Sequence, residues 1–183
     1  MRPLLLLCVK CKTPALWGVH IRPEGIADIE AIRRVNEAAF GQPDEARLVD
    51  ALREQATPFL SRVAEEEGAI VGHICFTPVE IGEATIAGLA PMAVSPARQH
   101  QGIGSRLVEA GLEECRRAGF GAVVVLGHPE YYPRFGFAPA SRYGVRSEYD
   151  VPDDVFMLLE LVPGAAAPLK GVARYHAAFG ALG

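Results

Sequence analysis

Positive charge is in short supply in this chain. Across 183 residues, 18 lysines and arginines face 22 aspartates and glutamates, a formal net charge of −4. That balance excludes the bulk basic field that holds nucleic acid by phosphate neutralisation and leaves only a local patch open. Cysteine is sparse as well. Of the four, Cys75 and Cys115 fall inside apolar strand and helix patterns, which suits small buried thiols in a reducing compartment and argues against a disulfide framework. Cys8 and Cys11 form a lone Cys-x-x-Cys, and no second pair or histidine cluster follows at ligand spacing, so no metal is expected. Long apolar runs are missing too. Leu4 to Val9 begins like a signal peptide, but the run is short, no small-residue cleavage site follows, and no stretch is long enough to span a membrane. Residues 1–18 therefore read as an N-terminal extension or an early start, residues 19–183 as a single domain, and the protein as cytoplasmic.

What the chain does have is apolar content, half of its residues, enough for one full core. Val19-His20-Ile21-Arg22-Pro23 alternates as a first strand. Ile26, Ile29, Ile32, Val35, Ala39 and Phe40 then fall on a helical stripe that Gly41-Gln42-Pro43 ends. Asp44 can cap a second helix on which Leu48, Val49 and Leu52 share a face, and Pro58 closes it. Strands follow at residues 59–66, 69–81 and 85–94, separated by Glu67-Gly68 and Gly82-Glu83, an antiparallel meander. Pro91 has no N–H to give, so the ladder should break there. Residues 102–118 form the central helix, with Ile103, Leu107, Val108, Leu112 and Cys115 on its apolar side and Gly119 as its stop. Residues 122–126 are continuously apolar, as expected of a buried strand set parallel to the previous one by a right-handed crossover. The fold class is α/β, an α+β-type mixed sheet, mostly antiparallel and flanked by helices.

Between strand and central helix lies Val94-Ser95-Pro96-Ala97-Arg98-Gln99-His100-Gln101-Gly102-Ile103-Gly104. Gly102 and Gly104 lack Cβ, so backbone N–H groups can approach a ligand, and the helix start aims its positive dipole end at the same place. A pyrophosphate fits such a loop, while tight packing alone also uses glycines before helices. Its position at the carboxyl end of a strand in a parallel crossover favours the anion. A nucleotide-hydrolysing P-loop would need Lys-Ser/Thr where Ser105-Arg106 stands, and a dinucleotide fold would open on the motif and repeat the crossover.

Val94-x-Pro96, Gln99-x-x-Gly102-x-Gly104 and, after the next strand, Tyr132-Pro133-Arg134-Phe135-Gly136-Phe137 resemble the GNAT superfamily of acyl-CoA-dependent N-acetyltransferases over residues 19–162. The stretches 123–132, 156–161 and 171–179 are similar to its YhbS-like branch. The resemblance implies a GNAT fold in which parallel strands 4 and 5 splay apart and the pantetheine arm of acetyl-CoA enters the gap. It implies that this donor lies along Met92, Ala93 and Val94 and around Gln99, His100, Gln101, Gly102, Ile103, Gly104 and Ser105, with the thioester carbonyl polarised by an N–H near Ala93 or Val94. It implies transfer of the acetyl group to an amine by direct attack, with Tyr132 protonating the departing thiolate. A phenol, protonated up to a pKa of about 10, is a reasonable donor to that thiolate. Tyr131 is the neighbour that could hold the role instead, and Tyr132 could simply pack on Phe135 and Phe137.

No general base stands out. His73 and Glu80 are on a strand expected to border the cleft, but a histidine in an apolar strand is more often a hydrogen-bonded core residue and Glu80 lies beside a turn, so neither is assigned. The acceptor amine, small molecule or protein, should be chosen by residues 26–57 and 139–155, where Asp150, Asp153 and Asp154 could attract a cation or form a solvated acidic loop. The last strands offer a surface for a homodimer. Beside the acetyltransferase stand two other readings: a noncatalytic acyl-CoA sensor on the same fold, and a structural partner domain whose glycine loop only packs.

Overall fold

A computed structural model describes residues 18–181; the extension carrying Cys8 and Cys11 lies outside the described residues. Strand β1 (Val19–Pro23) pairs antiparallel with β2 (Leu60–Glu66), β2 with β3 (Ala69–Ile81), and β3 with β4 (Ala84–Val94), so the meander forms as its turn signals demand. Side chains alternate across this sheet. Val63 and Cys75 face one side with Ile32, Leu48, Val49 and Leu52, while Ala64, Ile74 and Phe76 face the other. The first side is covered by helices α1 (Ile29–Phe40) and α2 (Asp44–Gln55), the second by α3 (Ile103–Arg117). Ile103, Leu107 and Val108 of α3 are almost wholly buried, each stabilising the fold by roughly 1.5–3 kcal/mol through removal of apolar surface from water.

Strand β5 (Ala122–Leu126) returns parallel to β4, but the two share only Ala87–Leu89 against Val123–Val125. Above that point they part. At the same level β4 places two residues, Ala90 and Pro91, opposite the single Cys75 of β3, a bulge at the position where proline cannot donate, and the Cys75 Sγ–H donates to the Ala90 carbonyl at 3.1 Å. The bulge rephases the strand: Met92 and Val94, rather than Pro91 and Ala93, follow Leu89 onto the face of α3. The ladder to β3 then resumes, and Ser95 N–H donates to Val71 O at 2.9 Å. Alternation down an antiparallel ladder therefore turns the Ala93 N–H inward to β3 and leaves those of Met92 and Val94 on the open edge that β5 has vacated. Of the two N–H groups expected near a thioester carbonyl, that of Val94 lies on the open edge and that of Ala93 does not.

Beyond β5 the sheet continues through β8 (Phe156–Glu160) and β6 (Ala138–Pro139), in the order β1-β2-β3-β4-β5-β8-β6, while β7 (Val145–Ser147) and β9 (Gly171–Arg174) join it off this path. β3 outruns β2, whose pairing stops at Phe76. The exposed remainder of that edge, Glu80 and Ile81, is taken by β9, which also runs parallel to β7. This closes an otherwise bare strand edge and brings Tyr175 and Phe179 back across the sheet into contact with each other, ring centroids 5.2 Å apart.

Two local expectations do not hold. Ile26 lies in a 3-10 turn (Ile26–Asp28) before α1 and is 91% exposed, so it is off the helical stripe. Asp44 is the first residue of α2 rather than its cap and makes no capping hydrogen bond; its Oδ1 accepts from Arg47 at 3.2 Å instead. The parts of α1, α2 and the sheet that do form are tied by a buried polar knot. Glu24 accepts from Arg53 of α2 at 2.6 Å and from Ser61 of β2, and Asn36 Nδ2 donates to His73 Nδ1 at 3.3 Å. With Nδ1 accepting, the His73 proton sits on Nε2, 3.0 Å from Ser61 Oγ. Burial keeps that imidazole neutral despite Glu24 at 3.7 Å. Burial alone would raise the Glu24 carboxyl, but His73, Arg53 and Ser61 together outweigh it and hold it at about 2.

Candidate active site

The gap between β4 and β5 opens into a groove of about 540 Å³. Its strand wall is Met92, Ala93 and Val94; its loop wall is Gln99, His100, Gly102, Ile103, Gly104 and Ser105. Gln101 is the one residue of the expected set that does not line it, because its side chain turns away to donate to Ala97 O at 3.2 Å. Gln99 ties the loop to the strand by donating from Nε2 to Val94 O at 3.1 Å. His100 and Gly102 both hold left-handed backbone, φ 59° and 83°, on either side of Gln101. Turns of this kind gather consecutive N–H groups into a concave anion nest, and the first-turn N–H groups of α3 have no partner inside the helix. For histidine that conformation is unusual; for glycine it costs little.

Gly104 serves a different purpose from the one its position suggests. A Cβ there would stand 2.8 Å from the Tyr131 hydroxyl, so the space a side chain would fill is occupied by a phenol packed on the first turn of α3. The Arg134 guanidinium stacks on that ring at 3.8 Å from its centroid and has no carboxylate partner among the described residues. Arg98, the other cation of the groove, is paired with Glu66. Arg134 thus supplies the uncommitted positive charge.

Tyr132 stands beside these two residues in a different setting. Its ring meets Tyr131 and Phe137 edge-on, with centroids 5.1 and 5.6 Å apart, and covers Gly127 so closely that a Cβ would lie 2.3 Å from it. Burial, reinforced by adjacent Tyr131, pushes its phenol up, so it stays protonated throughout the physiological range. Packing on the aromatic cluster does not exclude a chemical role, because Tyr132 also lines a second cavity of about 550 Å³ on the other side of the gap. Tyr132, His128, Met92 and Phe40 border both spaces. The second cavity is walled by Leu48 of α2, Leu89 to Met92 of β4, Leu126 at the end of β5, Tyr149, Val151 and the returning Tyr175 and Phe179; Glu45 is its single carboxylate.

The family of this fold can now be stated. A model of the acetyltransferase (GNAT) family matches residues 28–137, the span from the start of α1 to Phe137. The chain belongs to the GNAT acetyltransferase family. This acyltransferase is 43% identical over 135 residues to the uncharacterized N-acetyltransferase YjhQ of Escherichia coli K12, covering 70% of this chain and 75% of YjhQ. It is 33% identical to the Escherichia coli N-acetyltransferase YhbS, whose crystal structure in complex with CoA superposes with a TM-score of 0.86 over 93% of this chain and 96% of that one. A GNAT acetyltransferase of Brucella melitensis in complex with acetyl-CoA is 41% identical, with a TM-score of 0.74 over 88% of this chain and 97% of its own.

Other sequence candidates fall outside both cavities of this acetyltransferase. His73 is fully buried in the polar knot, and Glu80 is exposed between Thr85 and Arg174 on neighbouring strands. Asp150, Asp153 and Asp154 are exposed, and Asp153 accepts from Ser141 at 2.8 Å; none of them lines the second cavity. Cys75 and Cys115 are free and buried, and burial pushes the Cys115 thiol up to about 12. Among the described residues no cluster of three potential metal ligands occurs and no helix is long and apolar enough to cross a membrane. His128 was not singled out in the sequence, although it lies just past the carboxyl end of a parallel strand, the edge where α/β sheets place their ligands.

Proposed function

We propose that this acetyltransferase takes acetyl-CoA in the first groove and an amine in the second cavity, and that the amine attacks directly while both are bound. The observation that carries this reading is the meeting of the two spaces at Tyr132 and His128, where β4 and β5 part. The residues present suit the donor. The turns at His100 and Gly102 with the start of α3 suit a pyrophosphate, Arg134 adds a cation, and Met92 and Val94 offer main-chain groups to an extended arm. Complexes of YhbS with CoA and of the Brucella enzyme with acetyl-CoA support it.

Bound there, acetyl-CoA supplies an acetyl group activated as a thioester. The Val94 N–H is aimed to polarise its carbonyl. His128 takes the proton of the ammonium, imidazole being the side chain that accepts and passes protons near neutral pH, so the free amine nitrogen can bond to the acetyl carbon. His128 passes that proton to solvent and takes the second one, which the attacking nitrogen loses as the tetrahedral intermediate becomes the amide. Tyr132 donates its proton to the sulfur as the carbon–sulfur bond breaks, and the proton then held by His128 restores the phenol. Placing both reactants in joined cavities supplies much of the rate, and no acyl-enzyme is required.

The test is incubation with acetyl-CoA and a panel of amines, reading released CoA thiol, alongside thermal unfolding with and without acetyl-CoA. Amine-dependent release together with stabilisation is expected. Stabilisation without turnover would make the protein a noncatalytic acyl-CoA sensor, and absence of both would remove the donor from this groove.

A further inference from the structure

The second cavity has a one-sided chemistry. Its floor is Leu48, Leu89, Ala90 and Phe179, and the polar groups that reach it are the Glu45 carboxylate, the His128 imidazole and tyrosine hydroxyls. Among the described residues no arginine or lysine lines it. Its rim is unusual for a protein surface: of the five large apolar side chains exposed among the described residues, three, Phe40, Leu126 and Tyr149, 40–43% exposed, stand around this opening. A contiguous apolar rim over an apolar floor marks a binding surface. Glu45 is held at the mouth by Gln42, whose Nε2 lies 3.3 Å from both carboxylate oxygens.

We infer that the acceptor is a primary monoamine on an aromatic or branched apolar body, with no carboxylate beside the amine. This rests on the second cavity being the acceptor site of the proposed transfer. One carboxylate at the mouth offers one favourable site for an ammonium. The apolar body then displaces water from Leu48, Leu89 and Phe179. A polyamine or an aminoglycoside would have to bury further ammonium or hydroxyl groups against those same side chains without partners, a desolvation cost with no return. A free α-amino acid would bring a carboxylate next to Glu45 with no cation to receive it. The cavity volume, about 550 Å³, accommodates a single ring with a short amine arm and room for an amide.

The experiment compares phenethylamine, L-phenylalaninamide, L-phenylalanine and spermidine in two assays. One is steady-state acetyl transfer read by released thiol; the other is calorimetric titration of each amine into CoA-saturated protein. Phenethylamine and L-phenylalaninamide should exceed L-phenylalanine and spermidine by at least about tenfold in kcat/KM and in affinity, the scale on which unpaired buried polar groups discriminate. The Glu45→Gln variant, altered at a half-buried position in the first turn of α2 whose side chain bonds only to the neighbouring Gln42, should raise KM for phenethylamine roughly fivefold and leave KM for acetyl-CoA unchanged. Spermidine or L-phenylalanine equal to or better than the aromatic amines overturns the inference while leaving acetyl transfer intact. The same affinity ranking without turnover upholds the inference and fails the transfer reading instead. Binding of none of the four overturns it.

Discussion

The two cavities meet at one tyrosine, yet they are built in opposite ways. The donor groove is made largely by one contiguous stretch, residues 92–105, and much of its ligand-facing chemistry is backbone: left-handed turns at His100 and Gly102, the first turn of α3, and the strand edge that β5 leaves free. The proposed acceptor cavity is assembled from α1, α2, β4, the end of β5 and segments around Tyr149 and Phe179, and its character comes mostly from large side chains. A backbone-built site constrains only conformation and therefore appears as a motif. A side-chain site can change its residues one at a time without disturbing the fold and leaves no motif behind.

That contrast can be broken at its junction first. Tyr132→Phe removes the proposed acid, and kcat should fall on the order of 100-fold with KM for acetyl-CoA nearly unchanged. Wild-type turnover in that variant would return Tyr132 to a packing role and direct attention to Tyr131. Gly102→Val asks a β-branched residue to adopt φ 83° in the nest; CoA affinity should drop at least about tenfold by calorimetry, while a spectrum of the folded protein stays native. Unchanged affinity would mean the phosphates lie elsewhere. Gln101→Ala, one residue away and pointing out of the groove, should alter CoA affinity by less than about twofold, since it removes only an exposed hydrogen bond. A large loss there would show that side chains, and not backbone alone, define the donor site.

The acceptor side is tested through the knot that fixes α2. Glu24 titrates at about 2 in the folded protein against 4.5 ordinarily, so its contribution to stability is complete above about 4.5 and is lost as pH falls from there through about 2. Glu24→Gln should lower unfolding free energy at neutral pH by on the order of 2 kcal/mol, as expected when one partner of a buried charged cluster is removed. It should also flatten the acid limb of a denaturation profile. A profile identical to wild type would show that α2 is held by its apolar face alone.

How much of this was legible depended on how local the cause was. β3 at Ala69–Ile81 and β5 at Ala122–Leu126 were readable to the residue, because turn residues bracket them and apolar runs fill them. So was the interruption at Pro91, which follows from a missing N–H. Ile26 misled because its spacing fits a helix that starts only after it, and Asp44 because a carboxylate at a helix start can serve inside the first turn as well as before it. The short strands β6, β7 and β9 were not assigned: two to four residues carry no period, and their partners lie far away in the chain. In the site, the strand, loop and helix start were visible together. Arg134 lies within the Tyr132–Phe137 motif, but its stacking on Tyr131 is something no spacing shows. Glu45, Phe40 and His128 become site residues only when the sheet brings three distant segments to one gap.

The return of β9 beside β3 has a consequence in time. A ribosome releases every element of the donor groove, through Arg134, well before it adds Tyr175 and Phe179, the residues that wall the acceptor cavity. Translation therefore completes the proposed donor loop before the side chains that close the second cavity exist, while β8, which pairs with β5 and shares its core, comes between them.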